Sequence, residues 1–179
     1  EKLDLVGNSL KSTKVSTDKY NMRQALSEAG IPCPTFAFYD EPDFKNDLQF
    51  TFPVIVKPTD RSGSRGITKV NDPSEVDRAI EKALDNSLKH RAIVEEFIEG
   101  RELSVEMISH RGDHHFLSVT EKVTTGAPFF VEMEHHQPAE LSKGVEDNII
   151  ETVRHGLDAL KINNGASHSE ILITPSNDI

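Results

Sequence analysis

The sequence of 179 residues contains one cysteine, Cys33, and no tryptophan. A single cysteine cannot form a disulfide within the chain, which fits a reducing compartment. No CxxC pair is present, so metal and redox sites built on that motif are excluded. Cys33 lies between two prolines and is predicted to be a small buried or half-buried residue rather than a nucleophile.

Long hydrophobic runs and an excess of basic residues are also missing. No apolar stretch approaches the roughly 20 residues that a membrane-spanning helix needs, and no signal peptide opens the sequence. The net charge is −10, from 20 basic and 30 acidic residues, which argues against nucleic acid as the main partner. Local lysines and backbone N–H groups can still bind a phosphate. We therefore expect a cytoplasmic protein without membrane or nucleic-acid partners.

Hydrophobic residues make up 36% of the chain and charged residues 28%, which predicts a packed core. The sequence begins on Glu1 without a methionine and stops at Ile179 just after an apparent turn. We expect from these ends that the sequence is part of a longer protein.

The hydrophobic periodicity predicts a mixture of helices and strands without strict βαβ alternation, which favours α+β lobes over a doubly wound sheet. Thr17 or Asp18 is expected to cap the first helix and Gly30 to end it. Helices are predicted over 19–29, 72–86 and 144–160, and strands over 35–39, 52–58, 67–70, 92–98, 102–109, 115–123 and 166–174.

Residues 124–141 show no period and contain Pro128 and Pro138, which predicts a long loop. Long loops in compact domains are often functional. The pair His135-His136 in this loop matches no HExxH spacing, so a polar loop is favoured over a zinc site.

A glycine-rich segment follows Lys57, which closes a β-branched strand. In the run from Ser62 to Gly66, glycines would let the backbone approach a ligand, and N–H and hydroxyl groups would donate hydrogen bonds. The segment is neither a GxxxxGK[ST] loop nor a GxGxxG turn. Taken alone, it is as typical of an ordinary hairpin as of a phosphate cradle.

Two further groups of residues carry weak signals individually. Glu95 and Glu96 end a strand and precede bulky apolar residues, an arrangement that could line an adenine slot or simply be solvated. His168 and Glu170 are two apart on a strand and share a face, where a carboxylate could hold Mg²⁺ or merely contact solvent. Lys19, at the start of the first helix, is by itself a surface lysine.

The order and spacing of these segments resemble the ATP-grasp superfamily over nearly the whole chain. "TDKYNMRQALSEAGIPCPTF" is similar to the segment that begins its nucleotide-binding region, and "FPVIVKPTDRSGSRGITKV" to its lid subdomain. "AIVEEFIEGRELSVEMI" is similar to its adenine hinge, and "GASHSEILIT" to the strand that carries its first metal-binding acid.

The resemblance implies an ATP-grasp fold, in which two α+β lobes clasp a nucleotide between them, here truncated at both ends. Residues 1–52 would hold an opening helix and linker, 53–98 the lid subdomain, and 99–179 an incomplete C-terminal subdomain.

The resemblance also implies roles for individual residues. Lys19 and Lys57 would be the ATP-phosphate lysines and the catalytic residues, and Glu170 would bind Mg²⁺ or Mn²⁺. His168 and, in the long loop, His136 would border the substrates. The remaining nucleotide contacts would be Ser62, Gly63, Ser64, Gly66, Glu95, Glu96, Phe97, Ile98 and Glu102. Two of the hinge residues would act mainly through their backbone, and Glu102 would bind the ribose.

The segments "EHHQPAELS" and "HSE" look most like the L-amino-acid ligase branch, with biotin carboxylase and the carbamoyl phosphate synthetase large subunit as more distant relatives. The resemblance implies an ATP- and Mg²⁺-dependent ligase that joins a small carboxylate to an amine or thiol through an acyl phosphate. It allows a homodimer in the full-length protein.

One departure from the family pattern concerns its second metal-binding strand. This strand, an acid followed by asparagine and arginine, would lie beyond Ile179, so the sequence alone is expected to be inactive while its parent is active. The alternatives are a non-catalytic nucleotide-binding or regulatory module, and a purely structural domain.

Overall fold

The structure is a computed structural model that describes residues 6–126 and 131–179. Within these residues the strands form two four-stranded antiparallel sheets, ordered β1-β4-β2-β3 and β7-β6-β5-β8. The helices are α1 (Leu10–Ser16), α2 (Lys19–Glu28), α3 (Val76–Asn86) and α4 (Lys143–Ala159). The strands are β1 (Phe36–Tyr39), β2 (Val54–Pro58), β3 (Thr68–Val70), β4 (Ala92–Glu96), β5 (Arg101–His110), β6 (Asp113–Thr124), β7 (Glu132–His136) and β8 (Gly165–Ile173). The predicted α+β class is confirmed.

Successive side chains along each strand of the first sheet point to opposite faces, so the two faces differ in character. Val54, Val56 and Val94 point to one side and form a core with apolar residues of α3, such as Ile80 and Leu84. Burial of this face on a helix is what holds α3 to the sheet.

The opposite face of the first sheet carries Lys57 and Glu95 and is covered by α2. Tyr20 of that helix packs against Phe36 and Phe38 of β1, with ring centroids 5.8 Å and 5.0 Å apart. These contacts fix α2, and the charged residues along it, over the polar end of the sheet.

The second sheet has an apolar face on α4 and a polar face opposite. Leu103 and Val105 of β5 are fully buried and pack with Ile149 and Val153 of α4. Their strand neighbours point the other way, so the other face carries the polar side chains Glu102, Ser104, Thr120, Lys122, His168 and Glu170.

Both ends of α2 follow the predicted signals. The Asp18 carboxylate accepts the Asn21 N–H at 3.2 Å as the N-cap, and Gly30 has a φ of +72° just after the helix. The helix α1 lies in a region for which the sequence predicted no element.

The predicted loop over 124–141 is wrong for Glu132–His136, which form β7. All five residues of β7 are exposed, and only Met133 among them is apolar, so the segment lacks the sustained alternation that marks a strand in a sequence. The segment is a strand because it pairs with the edge of β6, a contact that its own sequence does not reveal. Residues 127–130 of the predicted loop lie outside the described residues.

The first sheet draws β1 from the range 1–52 and its other strands from the range 53–98. None of the helices in the described parts of the chain combines the length and the hydropathy that crossing a membrane requires.

Candidate functional site

The first sheet with α2 and α3 forms the first lobe, and the second sheet with α4 forms the second. The centre of the first lobe is a buried carboxylate between two cations. Glu95 is 2% exposed, and its Oε1 and Oε2 lie 2.6 Å from Arg23 Nε and 2.5 Å from Lys57 Nζ. Burial alone would raise the pKa of Glu95, but the two cations outweigh it and lower the pKa to about 2. The carboxylate is therefore fully ionised at neutral pH.

The start of α2 is fastened to the segment after β2. The buried Asp18 carboxylate accepts from the Thr59 hydroxyl at 3.3 Å, and the Lys19 N–H donates to the Thr59 carbonyl at 2.9 Å. The Lys19 ammonium donates to the carbonyl of Arg61. Burial and the nearby charge of Lys57 lower the pKa of Lys19. The two predicted lysines are therefore near enough for the charge of Lys57 to affect the pKa of Lys19.

The glycine-rich segment is anchored at both ends and exposed between them. On one side, Asp60 accepts from the Ser87 hydroxyl at 2.9 Å and from two backbone N–H groups that follow it. On the other, Gly66 has a φ of +75°, and a Cβ there would lie 2.8 Å from atoms of Pro58 and Asn86. Residues 62–65 between these anchors are exposed, so a ligand can reach them.

The predicted hinge follows the end of β4. The Glu96 N–H donates to the Thr35 carbonyl at 2.9 Å and the Phe97 N–H to the Pro53 carbonyl at 3.2 Å. The Lys69 ammonium lies 3.5 Å from the centroid of the Phe97 ring. These contacts set the course of the chain toward Ile98, which is half-buried.

The polar face of the second sheet is organised around Lys122, which the sequence reasoning missed. Its ammonium is 2.6 Å from Glu132 Oε1 and 2.6 Å from Glu170 Oε1, and its side chain is only 7% exposed. Burial would lower the pKa of Lys122, but hydrogen bonds to the two carboxylates raise it. Burial raises the pKa of Glu102, against the opposing effect of Lys122.

A β-bulge explains why Lys122 could not be found from the sequence. Counting back from the turn at His110 and Asp113 would pair Glu102 with Glu121 and turn Lys122 to the far face. The bulge shifts the register by one residue, so that Lys122 lies opposite Glu102. Burial does not alternate along β6 around Lys122, so no local signal marks that face.

The two lobes bring their predicted residues together. The Glu170 carboxylate is close enough to oppose the lowered pKa of Lys19, and the Lys57 charge acts on the pKa of Glu102. The charges of Lys19, Lys57, Glu102 and Glu170 therefore act on one another across the two sheets.

The two predicted substrate histidines are separated. His168 shares a face with Glu170, its Nδ1 lies 2.7 Å from Glu106 Oε1, and its Nε2 lies 4.0 Å from Glu170 Oε1. His136 pairs instead with Glu121, which belongs to the opposite face of the sheet. The structure does not bring His136 to the residues around Lys122, and its role in binding substrate stays a prediction.

The chain belongs to the family described as "ATP-grasp domain", which residues 50–179 match. The L-amino acid ligase from Bacillus licheniformis has a similar structure, with a TM-score of 0.85 and 26% identity over 98% of this chain and 41% of that one. The D-alanine–D-alanine ligase from Bacillus anthracis complexed with ATP aligns with a TM-score of 0.76 at 20% identity, over 94% of this chain and 54% of that one, which shows a shared fold.

Curated relatives agree with this assignment. The chain is 23% identical to a carbamoyl-phosphate synthase from Methanobrevibacter smithii over 150 residues, 83% of this chain and 39% of that protein. It spans half or less of the length of the curated relatives that it matches. The predicted superfamily and fold class are confirmed.

Proposed function

We propose that this chain forms the nucleotide site of an ATP-dependent ligase that activates a small carboxylate as an acyl phosphate and passes it to an amine or thiol. The observation that carries the proposal is that the charges of Lys57 on the first sheet and Glu170 on the second both act on the ammonium of Lys19. Membership of the ATP-grasp family supports ATP as the phosphate donor.

Different residues would contact the phosphates, the base and the ribose of the nucleotide. Lys19 and Lys57 neutralise phosphate oxygens, and the exposed segment of residues 62–65 supplies backbone N–H groups. Phe97 and Ile98 border the base, while Glu102 accepts hydrogen bonds from the ribose. The Glu95 carboxylate is held by Arg23 and Lys57, so its own contribution is to the lysine and not to the base edge.

The residues present fit a magnesium ion whose coordination shell is completed by oxygens of the nucleotide and by water. Glu170 offers carboxylate oxygens, which Mg²⁺ prefers, and Mg²⁺ commonly uses one or two carboxylates with substrate phosphates and waters. Among the described residues no three His, Cys, Asp or Glu side chains converge on one point. Glu170 would hold the ion, which supplies charge neutralisation at the phosphates.

The first step is phosphoryl transfer. A carboxylate oxygen of the substrate attacks the γ-phosphorus, the bond to the β–γ bridging oxygen breaks, and ADP leaves. The acceptor then attacks the acyl carbon and inorganic phosphate leaves. Such a reaction depends on in-line positioning and charge neutralisation more than on proton transfer. Closure of the glycine-rich segment would keep water from the acyl phosphate.

The similarity to an L-amino acid ligase favours an amino acid as the carboxylate and an amine as the acceptor. The single cysteine fits a cytoplasmic location. Residues 1–52, 53–98 and 99–179 would serve as opening segment, lid and C-terminal subdomain.

Hydroxylamine trapping tests the reaction. The full-length parent protein is incubated with ATP, Mg²⁺, hydroxylamine and a panel of amino acids, and hydroxamate and ADP are measured. Equal amounts of both, dependent on one class of carboxylate, would support the proposal. ATP binding without hydroxamate from any carboxylate would contradict the ligase and favour the non-catalytic nucleotide-binding module.

A further inference from the structure

Lys57 does not approach the site as an isolated cation. Its ammonium is committed to Glu95 at 2.5 Å, and Glu95 is also bound by Arg23 at 2.6 Å. The three residues come from β2, β4 and α2 and are far apart in the sequence. A buried, ionised carboxylate is unfavourable unless nearby cations offset its lost hydration. Here each carboxylate oxygen has one cation.

The cluster of Arg23, Lys57 and Glu95 has one more positive than negative charge. Two cations face one carboxylate, so the cluster carries a net positive charge that an anionic ligand can use. Lys57 is 20% exposed at its side chain and Glu95 only 2%. The lysine can therefore turn toward a ligand while the carboxylate stays in place.

We infer that Arg23 is a positioning residue for Lys57, acting through Glu95. When Lys57 turns toward a phosphate, Arg23 keeps the Glu95 carboxylate compensated and in place. Without Arg23, Lys57 remains the sole counter-ion of a buried carboxylate and is held away from the ligand. This inference rests on the proposed nucleotide site and adds a residue to it.

Two features of Arg23 fit this role better than a contact with the ligand itself. Its side chain is 23% exposed, and its Nε donates to Glu95 Oε1 at 2.6 Å. The helix that carries it is fixed on the sheet by the Tyr20 ring and by the Asp18 cap. The guanidinium therefore has a defined geometry toward the carboxylate before any ligand binds.

A double-mutant cycle on the purified protein tests the inference, with the dissociation constant of Mg-ATP measured by calorimetry. We expect Arg23→Gln to weaken binding roughly tenfold, within the usual range for coupled neighbours. In the Glu95→Gln background, where no buried carboxylate ties Lys57, the same change should alter binding by less than about twofold. Arg23→Lys, which keeps the charge, should restore most of the loss.

An equal loss in both backgrounds would overturn the inference, because Arg23 would then act on the ligand or on the fold directly. Arg154→Gln is the matched control, since Arg154 also contacts a glutamate at 2.6 Å but on the exposed side of α4. If Arg23→Gln does not fold, the cycle is run with Arg23→Met, which also removes the charge, and is judged by the same criterion. Absence of ATP binding by the unaltered protein would overturn the proposed function as well, whereas additive losses with intact binding overturn only the role of Arg23.

Discussion

At the scale of the residue, the ionised state of Glu95 links stability to pH. Its folded pKa of about 2 lies below the ordinary value of 4.5, so its charge stabilises the fold above pH 4.5. That contribution is lost as the pH falls toward 2 and amounts to about 3 kcal/mol, at 1.36 kcal/mol per pKa unit.

We therefore expect the free energy of unfolding of the wild type to fall more steeply with acidification than that of Glu95→Gln. Urea titrations at several values between pH 7 and pH 3 measure this difference, which should shrink as the pH is lowered. Glu151→Gln, at an exposed ion pair of α4, is the control and should follow the wild type. A gap between wild type and Glu95→Gln that does not change with pH would contradict the ion-pair account.

Glu170 gives a second prediction at this scale. In the full-length parent protein, Glu170→Gln should raise the Mg²⁺ concentration needed for half-maximal ATP turnover by about tenfold or more, because an amide is a weaker ligand for a hard cation. The measurement is a Mg²⁺ titration at saturating ATP, beside the exposed Glu151→Gln. Superimposable titrations for wild type and Glu170→Gln would remove Glu170 from the metal site.

At the scale of the element, the glycine-rich segment depends on two different glycines. Gly63 and Gly66 both have positive φ, at +67° and +75°, but only Gly66 is packed against Pro58 and Asn86. Gly63→Ala should destabilise the protein by about 1 kcal/mol for backbone strain alone. Gly66→Ala adds steric overlap and should cost about 2 kcal/mol or more.

Urea denaturation of the two variants separates strain from packing. The larger loss should belong to Gly66→Ala, and Gly63→Ala should keep the anchors of the segment intact. Equal losses would mean that the Gly66 contact contributes nothing to the fold.

The elements also show what the sequence can and cannot reveal. The Asp18 cap and the alternating valines of β2 depend only on residues close together in the sequence, so they could be predicted. The exposed strand β7 and the bulge that turns Lys122 to the site face depend on pairing with other strands. No local pattern encodes those partners.

At the scale of the whole molecule, charged residues of the two sheets act on one another electrostatically. The first lobe offers Lys19 and Lys57, and the second offers Glu102 and Glu170. Order and spacing in the sequence predicted these four residues together, since the family pattern preserves their sequence order. The pairing of Glu95 with Arg23 could not be predicted, because their contact joins residues 72 positions apart.

The measurement that tests the account most directly is the binding of Mg-ATP to the protein and to Lys57→Met. Arg23 still compensates Glu95 in that variant, so the fold should persist while the phosphate contact is lost. Lys45→Met is the control, because Lys45 is an exposed lysine paired with Asp43 in the same lobe. The account predicts that Lys57→Met weakens ATP binding by about tenfold to a hundredfold and that Lys45→Met leaves it unchanged. Equal affinity of the wild type and Lys57→Met for ATP, or no binding by the wild type, would contradict it.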